Sequence, residues 1–170
     1  MKNVLVTGCA GFIASHLAEA LLKEGCTVWG IDNFYPYYSP AIKRDNIEEV
    51  KKTAEDCNGT FNFIEGSILN DEDLDKLPDD LDTIFHLAAI AGVRNSIENP
   101  TPYFQINVEG TVRLLKKYKD SKFIFASSSS VLSYFCHSVS LPETVITTAV
   151  SSGGSSLSSS CLYRSHASLS

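Results

Sequence analysis

Five short apolar runs recur through the first 127 residues of this sequence: NVLVT, TVWGID, FNFIEG, DTIFHLA and KFIFAS. Runs of this length are typical of strands, and segments with helical spacing separate most of them, including a short acidic one near residues 71 to 77. Strands that are apolar throughout lie in parallel sheets whose two faces are both covered by helices. The pattern therefore predicts an α/β fold with a doubly wound parallel sheet, truncated after about the fifth strand.

The first helical segment, FIASHLAEALLKEG, carries apolar side chains at helical spacing. We expect the face that packs on the sheet to consist of Phe12, Ile13, His16, Leu17, Ala20 and Leu21. Gly25 supplies the stop at the end of the helix. His16 and His86 are then interpreted as buried packing residues and not as catalytic ones. The stretch between TVWGID and FNFIEG mixes apolar and polar residues and shows no clear helix or strand pattern.

Composition excludes several classes of protein. A hydrophobic content of 44% in 170 residues suffices for one globular domain with a core. The net charge of -6 lacks the basic excess that a nucleic-acid surface or an anionic membrane needs, so small molecules or proteins are the expected partners. Five cysteines without a C-x-x-C pair predict neither a disulfide framework nor a metal site, and no apolar run approaches a membrane span. We expect a cytoplasmic protein with reduced thiols.

Charge and serine divide the chain into two parts. Residues 1–122 hold 13 of the 14 Lys and Arg and 19 of the 20 Asp and Glu, whereas 13 of the 40 residues from Val131 to Ser170 are serine. Serine-rich, nearly uncharged sequence buries too little apolar surface to offset its ordering entropy. We therefore predict an α/β domain over residues 1–131 and a tail over residues 132–170 that does not continue the sheet. FIFA would then be a sheet edge, through which we expect homodimers or other self-association unless the tail covers it.

The stretch TGCAGFIA, residues 7–14, falls between the first predicted strand and the first helix. Gly8 permits a tight turn, Gly11 lets a pyrophosphate approach the backbone, and the small Ala14 lets the helix pack close to the strand. Because a helix N-terminus presents free N–H groups, this loop is a candidate anion site, with a purely structural turn as the alternative. No G-x-x-x-x-G-K-[ST] pattern is present, which excludes a P-loop.

Asp32 ends the second predicted strand, 18 residues after Ala14. A carboxylate at this place can accept hydrogen bonds from both hydroxyls of an adenosine ribose. It also repels a 2′-phosphate, which favours NAD over NADP, although Lys43 and Arg44 downstream can soften that preference. The alternative is a solvated acid at a strand end, and the glycine loop makes the ribose site the preferred interpretation.

With these residues in place, the chain resembles the NAD-dependent epimerase/dehydratase group of the extended short-chain dehydrogenases/reductases over about residues 1–131. VTGCAGFIASHLAEALL is similar to the family's VTG-x-x-GFIGSHL opening, and IDNF, HLAA and NVEGT resemble its later motifs. DNFYPYYSPAIKRDNI and AGVRNSIENP are most similar to UDP-glucuronate 4-epimerases. The resemblance implies a partial, Rossmann-like NAD-binding domain over residues 1–131 and a UDP-sugar as partner.

The resemblance also implies roles for individual residues. It places twelve of them at NAD, in order from the pyrophosphate through the ribose and adenine to the nicotinamide side: Gly8, Gly11, Phe12, Ile13, Asp32, Asn33, Ser67, Ile68, Leu87, Ala88, Ala89 and Asn107. Phe12 and Ile13 would act through their backbone, and Asn107 would hold the strand-to-loop geometry. Arg94 would lie on the substrate side, and Ser128 would be the catalytic serine.

Three positions depart from the family pattern. Cys9 and Ala14 replace usual glycines, and Ser67 replaces an acid that would accept a hydrogen bond from adenine. Alanine is tolerable because its methyl group is small, whereas Cys9 is acceptable only if its φ is below zero. We expect the change at Ser67 to weaken cofactor affinity.

The catalytic centre is where the sequence departs most from the family. Ser128 lies in the run SSSS, for which ordinary loop composition is the alternative. The family's general base is a tyrosine whose pKa is lowered by a lysine four residues later. Neither Tyr134, followed by Ser138, nor Tyr163, followed by Ala167, has that lysine, so we expect the pair to be absent. The abrupt loss of charge suggests that the tail is a frameshifted or aberrantly spliced reading.

Three functions follow from these observations. The preferred hypothesis is an NAD-dependent nucleotide-sugar 4-epimerase of the UDP-glucuronate type, inactive in this form because the catalytic pair and the substrate domain are absent. A nucleotide-sugar 4,6-dehydratase is the alternative with related chemistry. A non-catalytic NAD-binding remnant or interaction protein is the alternative from a different class.

Overall fold

The computed structural model describes residues 2–127 and the backbone of residues 145–149. The chain begins β1 (Asn3–Thr7), α1 (Phe12–Lys23), β2 (Thr27–Asp32), α2 (Pro40–Asp56), β3 (Thr60–Glu65), α3 (Asp71–Leu74) and β4 (Thr83–His86). It continues through α4 (Val93–Glu98), α5 (Pro100–Phe104), a π-helical turn (Gln105–Gly110) and α6 (Thr111–Lys117) to β5 (Lys122–Ser127). A further strand, β6, spans Val145–Ala149.

The strands form one parallel sheet in the order β3-β2-β1-β4-β5-β6. The predicted doubly wound parallel sheet is thereby confirmed. The strand order reverses at β1, because β2 and β3 lie on one side of it and β4 and β5 on the other. β1 and β4 end together at Thr7 and His86, which are paired in register. Loops that leave a sheet in opposite directions at such a point open a crevice, where these folds bind ligands.

β6 extends the sheet beyond the predicted fifth strand. Its backbone pairs in parallel with β5, from Phe123 opposite Val145 to Ser127 opposite Ala149. The expectation that residues 132–170 do not continue the sheet is therefore wrong for this strand. Four of the five residues in VITTA are β-branched and favour strands. The prediction for this region rested on the high serine content of the whole tail and not on this short segment. Because β5 is interior, the predicted self-association through its edge loses its physical basis.

The two faces of the sheet carry separate apolar layers. Val4 and Val6 pack on one face with residues of α1 and α2, such as Leu22 and Val50. Leu5 points to the other face, where it belongs to a second buried cluster with residues of α3 and α6. Alternate residues of a strand point to opposite sides of the sheet, so β1 contributes to both layers. Buried packing on both faces supports the strand ends that form the crevice.

The buried face of α1 is not the predicted one. Phe12 is 71% exposed, Ile13 is 54% exposed and the His16 side chain is 64% exposed. The helix instead buries Ala14, Ser15, Ala18 and Leu22. Three of these four side chains are small, which lets the helix backbone lie close to the sheet. His16 is thus a surface residue, while His86 is buried as expected.

The ends of the elements are set by local chemistry. Gly25, with φ of +78°, follows α1 and ends it as predicted. The mixed stretch after β2 contains α2, whose 17 residues bury only three apolar side chains, those of Ile47, Val50 and Ala54. So few apolar residues among many charged ones make a weak periodic signal. Among the described residues, no helix combines the length and apolar character that crossing a membrane requires.

Candidate functional site

The turn between β1 and α1 forms the floor of the crevice. Gly8 has φ of +68°, and its N–H donates to the Ile31 carbonyl at 2.8 Å. A Cβ atom on Gly8 would lie 2.9 Å from the Cα atom of Ala88, two residues after β4. Both the left-handed backbone and the contact with Ala88 exclude a side chain at this position. Gly11 closes the turn by donating its N–H to the Gly8 carbonyl at 2.9 Å.

The N-terminus of α1 opens directly onto this turn. Gly11 is the N-cap, no side chain caps the helix, and the first turn contains no acid. Within the described part of the chain, the amides of Ile13 and Ala14 have no hydrogen-bond partner, while the Phe12 amide faces the Tyr38 hydroxyl and the Ser15 amide donates to the Gly11 carbonyl. Free N–H groups and the positive end of the helix dipole make this N-terminus a candidate anion site. The side chains of Phe12 and Ile13 point to solvent, so these residues offer only their backbone.

Cys9 fits the loop without strain. Its φ is not positive, which meets the condition set by the sequence. The side chain is fully buried, and its Sγ atom occupies the space beside Gly30 of β2, where a Cβ atom would come within 2.7 Å of it. Burial, together with the nearby Asp32 charge, raises the pKa of the Cys9 thiol. Cys9 is therefore a packing residue with an unreactive thiol.

Asp32 stands at the end of β2 with its carboxylate turned into the loops. Its Oδ2 atom accepts from the Ala10 amide at 3.2 Å, and its Oδ1 atom accepts from the Phe34 amide at 2.7 Å. The residue is only 7% exposed. Each carboxylate oxygen has a second lone pair, so both oxygens retain an acceptor site. The two backbone bonds fix the direction of those sites.

Two basic residues of α2 lie near this carboxylate. The Lys43 Nζ atom is 3.9 Å from Asp32 Oδ1, and both side chains are largely buried. Arg44 lies over the Phe34 ring and pairs with Glu65 at 3.3 Å on the surface. The positive charge of each is thus partnered by an acid. Sequence patterns did not identify the Lys43–Asp32 pair, because the contact spans an irregular loop.

The turn after β3 continues the same groove. The Gly66 amide donates to the Asp32 carbonyl at 3.1 Å, which holds this turn beside the end of β2. The Ser67 amide donates to Asp73 Oδ2 at 3.0 Å, and Ser67 Oγ accepts from the Leu69 amide at 3.2 Å. Hydrogen bonds to Lys76 and to the Ser67 amide lower the pKa of the Asp73 carboxyl. The turn is therefore fixed at both ends.

A chain of hydrogen bonds runs behind the other wall of the groove. Thr7 Oγ1 accepts from the amides of Leu87 and Ala88 at 3.2 and 3.1 Å and contacts His86 Nδ1 at 2.8 Å. On the other side of the ring, His86 Nε2 contacts Thr111 Oγ1 at 2.8 Å, and that hydroxyl donates to the Asn107 carbonyl. The Thr7–His86–Thr111 chain thus links β1, β4 and α6.

The Asn107 side chain extends this support to the loop after β4. Its Oδ1 atom accepts from the Ile90 amide at 2.8 Å, and its Nδ2 atom donates to the Ile90 carbonyl at 2.9 Å. A side-chain amide that satisfies both polar groups of one residue holds an irregular backbone much as a strand partner would. Asn107 therefore acts from behind the groove, and its side chain does not line it.

The hydrogen-bond partners of the two ring nitrogens fix the tautomer of His86. Thr7 Oγ1 already accepts two amide hydrogens, so its own hydrogen points to Nδ1. The Nε2 atom must then carry the ring proton and donate to Thr111. Burial lowers the pKa of His86 to about 4, which agrees with a neutral ring that uses both nitrogens. His86 is 1% exposed and orients the groove wall from behind.

We expect acid to destabilise the fold through His86. The folded-state pKa of about 4 lies below the unfolded value near 6.5, so the unfolded chain takes up the proton first as the pH falls. The associated stability is complete above the unfolded pKa and is lost as the pH falls toward 4. Between pH 7.5 and 5 it amounts to about 2 kcal/mol. Urea unfolding at both pH values should show this loss in the native chain and a smaller one in His86→Gln, with the exposed His16→Gln as control. An equal loss in all three proteins would contradict the assignment.

Nine of the twelve predicted cofactor residues line one groove: Gly8, Gly11, Asp32, Asn33, Ser67, Ile68, Leu87, Ala88 and Ala89. Arg94 is exposed on α4 and is not among the lining residues. Ser128 and the tail tyrosines lie outside the described residues. The groove also includes four side chains that the sequence analysis did not single out, those of Tyr35, Tyr37, Tyr38 and Ile90, and the side chain of Lys43, which the sequence placed near the ribose acid. The tyrosine-rich FYPYY at residues 34–38, which follows Asp32 and Asn33, was the available signal for three of them.

One tyrosine does have a lysine four residues later, contrary to expectation: Tyr118 with Lys122. Lys122 begins β5 opposite Thr83, so the pair lies at the amino ends of the strands, away from the groove. Tyr118 is buried in the second apolar cluster, and its hydroxyl has no partner among the described residues. Burial, then the charges of Asp79 and Asp75, raise the pKa of Tyr118, which is the opposite of what a general base needs. This pair is not catalytic.

Comparison with known proteins agrees with the geometry of the groove. The sequence model of the NAD dependent epimerase/dehydratase family matches residues 4–153. A UDP-glucuronate 4-epimerase from Thermodesulfobacterium geofontis is 40% identical over 136 residues, which are 77% of this chain and 41% of that protein. UDP-glucuronate 4-epimerase 6 from Arabidopsis thaliana is 42% identical over 135 residues, or 76% of this chain and 28% of that protein.

A solved structure shows the same relationship. A point mutant of UDP-glucuronic acid 4-epimerase from Bacillus cereus, in complex with UDP-4-deoxy-4-fluoro-glucuronic acid and NAD, is 40% identical in sequence. It superposes with a TM-score of 0.67 over 88% of this chain and 46% of that one. The 170-residue chain thus spans less than half the length of these similar proteins.

Proposed function

The chain belongs to the NAD-dependent epimerase/dehydratase family, and from that premise we propose that residues 1–131 are the NAD-binding part of a UDP-glucuronate 4-epimerase. We also propose that the 170-residue chain binds NAD without catalysing epimerisation. The observation that carries the proposal is the groove at the β1–β4 crevice. There the glycine turn and the free helix N-terminus lie beside the buried Asp32 carboxylate.

The residues present fit a dinucleotide. Gly8 and Gly11 leave the floor of the groove free of side chains, and the Ile13 amide is free to bind a pyrophosphate, with the Phe12 amide beside it at the Tyr38 hydroxyl. The free lone pairs of Asp32 can accept from the two ribose hydroxyls. Leu87, Ala88 and Ala89 give the far end an apolar wall, where the nicotinamide would lie. When bound, NAD would take up a hydride from the sugar and return it.

Asp32 makes the groove selective for NAD. A 2′-phosphate would meet a buried carboxylate whose two oxygens are held in place by backbone amides. Lys43 is engaged with that carboxylate and Arg44 with Glu65, so neither cation is free to bind the extra phosphate. The sequence indicated that the two nearby cations could soften the preference for NAD over NADP. Because both cations are paired with acids, these contacts support a stronger preference.

The substrate side of the proposal rests on the relatives. A UDP-sugar would enter beyond Ala89, with Arg94 and Ser128 as the residues that the family resemblance assigns to it. The dehydratase alternative is weaker, because the relatives described above are named as 4-epimerases. Cysteines in an odd number without a paired motif support a cytoplasmic location.

Removing the Asp32 carboxylate is expected to weaken NAD binding by about 1–3 kcal/mol, the scale of losing charge-assisted hydrogen bonds. Isothermal titration calorimetry of Asp32→Ala would measure this as a roughly fivefold to 150-fold higher Kd. Asp32→Asn keeps the shape of the side chain and removes its charge. Its Kd for NAD should lie between those of the native chain and Asp32→Ala.

The matched control is Glu65→Ala. Glu65 also ends a strand and pairs in register with Asp32, but it is exposed and does not line the groove. Its loss should leave the Kd for NAD within about twofold, since surface ion pairs contribute little. Equal NAD affinity in Asp32→Ala and the native chain would refute the ribose assignment.

A further inference from the structure

The turn formed by Gly66, Ser67 and Ile68 is where a nucleotide base would lie, given the proposed function. A ribose held by Asp32 has its 5′ side toward the phosphate turn at Gly8. Its base must then project the other way, toward β3, whose last residue pairs with Asp32. The Gly66 amide is bonded to the Asp32 carbonyl, and the turn lines the groove next to that carboxylate. The position of the base therefore follows from the order of the strands.

The Ser67 hydroxyl lies at this place and keeps one donor site and one acceptor site free. Its oxygen accepts one hydrogen bond, from the Leu69 amide at 3.2 Å, and makes no other within the described residues. A hydroxyl has one donor and two acceptor sites, so Ser67 can still donate one hydrogen bond and accept another. Rotation of the hydroxyl decides which of the two it does.

No carboxylate faces the base from this turn. Asp73 lies beneath it, with Oδ2 bonded to the Ser67 amide and Oδ1 to Lys76 at 2.6 Å, and it does not line the groove. Asp32 is the acid among the lining residues, and it lies at the ribose. The Ile68 amide also has no partner among the described residues, and it can donate to N1 of adenine or to O6 of hypoxanthine. The turn thus lacks a side chain that can only accept hydrogen bonds.

We propose that Ser67 makes the cofactor groove tolerant of a 6-oxopurine, so that it binds the hypoxanthine dinucleotide about as well as NAD. The amino group of adenine is a donor, and Ser67 accepts from it. The 6-oxo group of hypoxanthine is an acceptor, and Ser67 donates to it. A carboxylate at this position would accept from the amino group but repel the oxo group.

The test uses the full chain and two ligands, NAD and nicotinamide hypoxanthine dinucleotide, in calorimetric titrations near pH 7.5. In the native chain the two Kd values should agree within about fivefold, since neutral hydrogen bonds of either direction have similar strength. In Ser67→Asp the ratio should rise at least tenfold in favour of NAD, because a charged acceptor discriminates more strongly. In Ser67→Ala both Kd values should rise by a similar factor. If Ser67→Asp does not fold, the native chain and Ser67→Ala decide the outcome.

The possible results separate this inference from the proposed function. If NAD binds and the hypoxanthine dinucleotide binds the native chain more than tenfold more weakly, the inference is wrong and the proposed function stands. An unchanged ratio in Ser67→Asp also overturns the inference. If neither dinucleotide binds the native chain, the proposed function itself fails, and the inference fails with it.

Discussion

Replacing Gly8 with alanine is expected to abolish dinucleotide binding and to lower the free energy of unfolding by about 2–5 kcal/mol. The φ of +68° at Gly8 costs an alanine about 1–2 kcal/mol. The new Cβ atom would also lie 2.9 Å from the Ala88 Cα atom, and relieving such an overpacked contact costs about 1–3 kcal/mol more. Because the Cβ atom is held rigidly by one backbone and meets another, the glycine turn must move, and its amides lose their alignment.

Two further variants separate the causes of this effect. Gly25 has a similar φ of +78° but nothing within 4 Å of an added Cβ atom, so Gly25→Ala should show the backbone strain alone and retain NAD binding. Gly11 has an ordinary φ of -71°, and an added Cβ atom would lie 3.1 Å from the Gly8 carbonyl oxygen. Gly11→Ala should therefore keep the fold with a small shift of the turn, while placing a methyl group where a phosphate would approach. Urea unfolding and NAD titration of all three variants check these expectations. A Gly8→Ala protein that binds NAD within threefold of the native Kd would show that the turn is not the phosphate site.

The 170-residue chain is expected to show no epimerisation of UDP-glucuronate, even with NAD bound. A positioned general base contributes about 10² to 10⁴-fold to such a reaction, and orientation of the sugar contributes a further large factor. The last lysine of the sequence is Lys122, and its tyrosine partner Tyr118 is buried at the far end of the sheet. Ser128 alone is a poor base, because no histidine or lysine is spaced near it in the sequence to activate it.

The assay follows formation of UDP-galacturonate by chromatography, with the Thermodesulfobacterium geofontis relative as the active control. Tyr118→Phe removes a hydroxyl that has no partner among the described residues, so it should change neither NAD binding nor the absence of turnover. Turnover by the native chain that disappears in Ser128→Ala would reveal a general base that neither sequence nor geometry identifies. Turnover that disappears in Tyr118→Phe would instead overturn the conclusion that this tyrosine is structural.

The features that the sequence predicted well depend on neighbours in the chain. Five continuous apolar runs indicated strands buried on both faces, and the structure has them in a parallel sheet. The glycine turn and Asp32 could be placed at strand ends because a left-handed turn and a strand-end acid are local requirements. Nine of the twelve residues assigned to the cofactor by resemblance then meet in one groove, because parallel strands bring their carboxyl ends to one edge.

Other features were not readable from the sequence, because they depend on which residues become neighbours in space. The pattern of α1 favoured its large apolar residues, but close packing on the sheet buried Ala14, Ser15 and Ala18. The pair of Asp32 with Lys43 and the Thr7–His86–Thr111 chain join segments that no local pattern connects. A match to Y-x-x-x-K at Tyr118 has the right spacing at the wrong end of the sheet.

The sequence by itself therefore determined the fold class, the glycine turn and the strand-end acid, because each is a property of a short segment: its period, its glycines or its place after a strand. The tertiary structure alone decided which face of α1 is buried, that β6 covers the edge of β5, and how Lys43, Asp73 and His86 support the groove. These contacts are chosen by packing and by the satisfaction of buried polar groups, which depend on the whole chain.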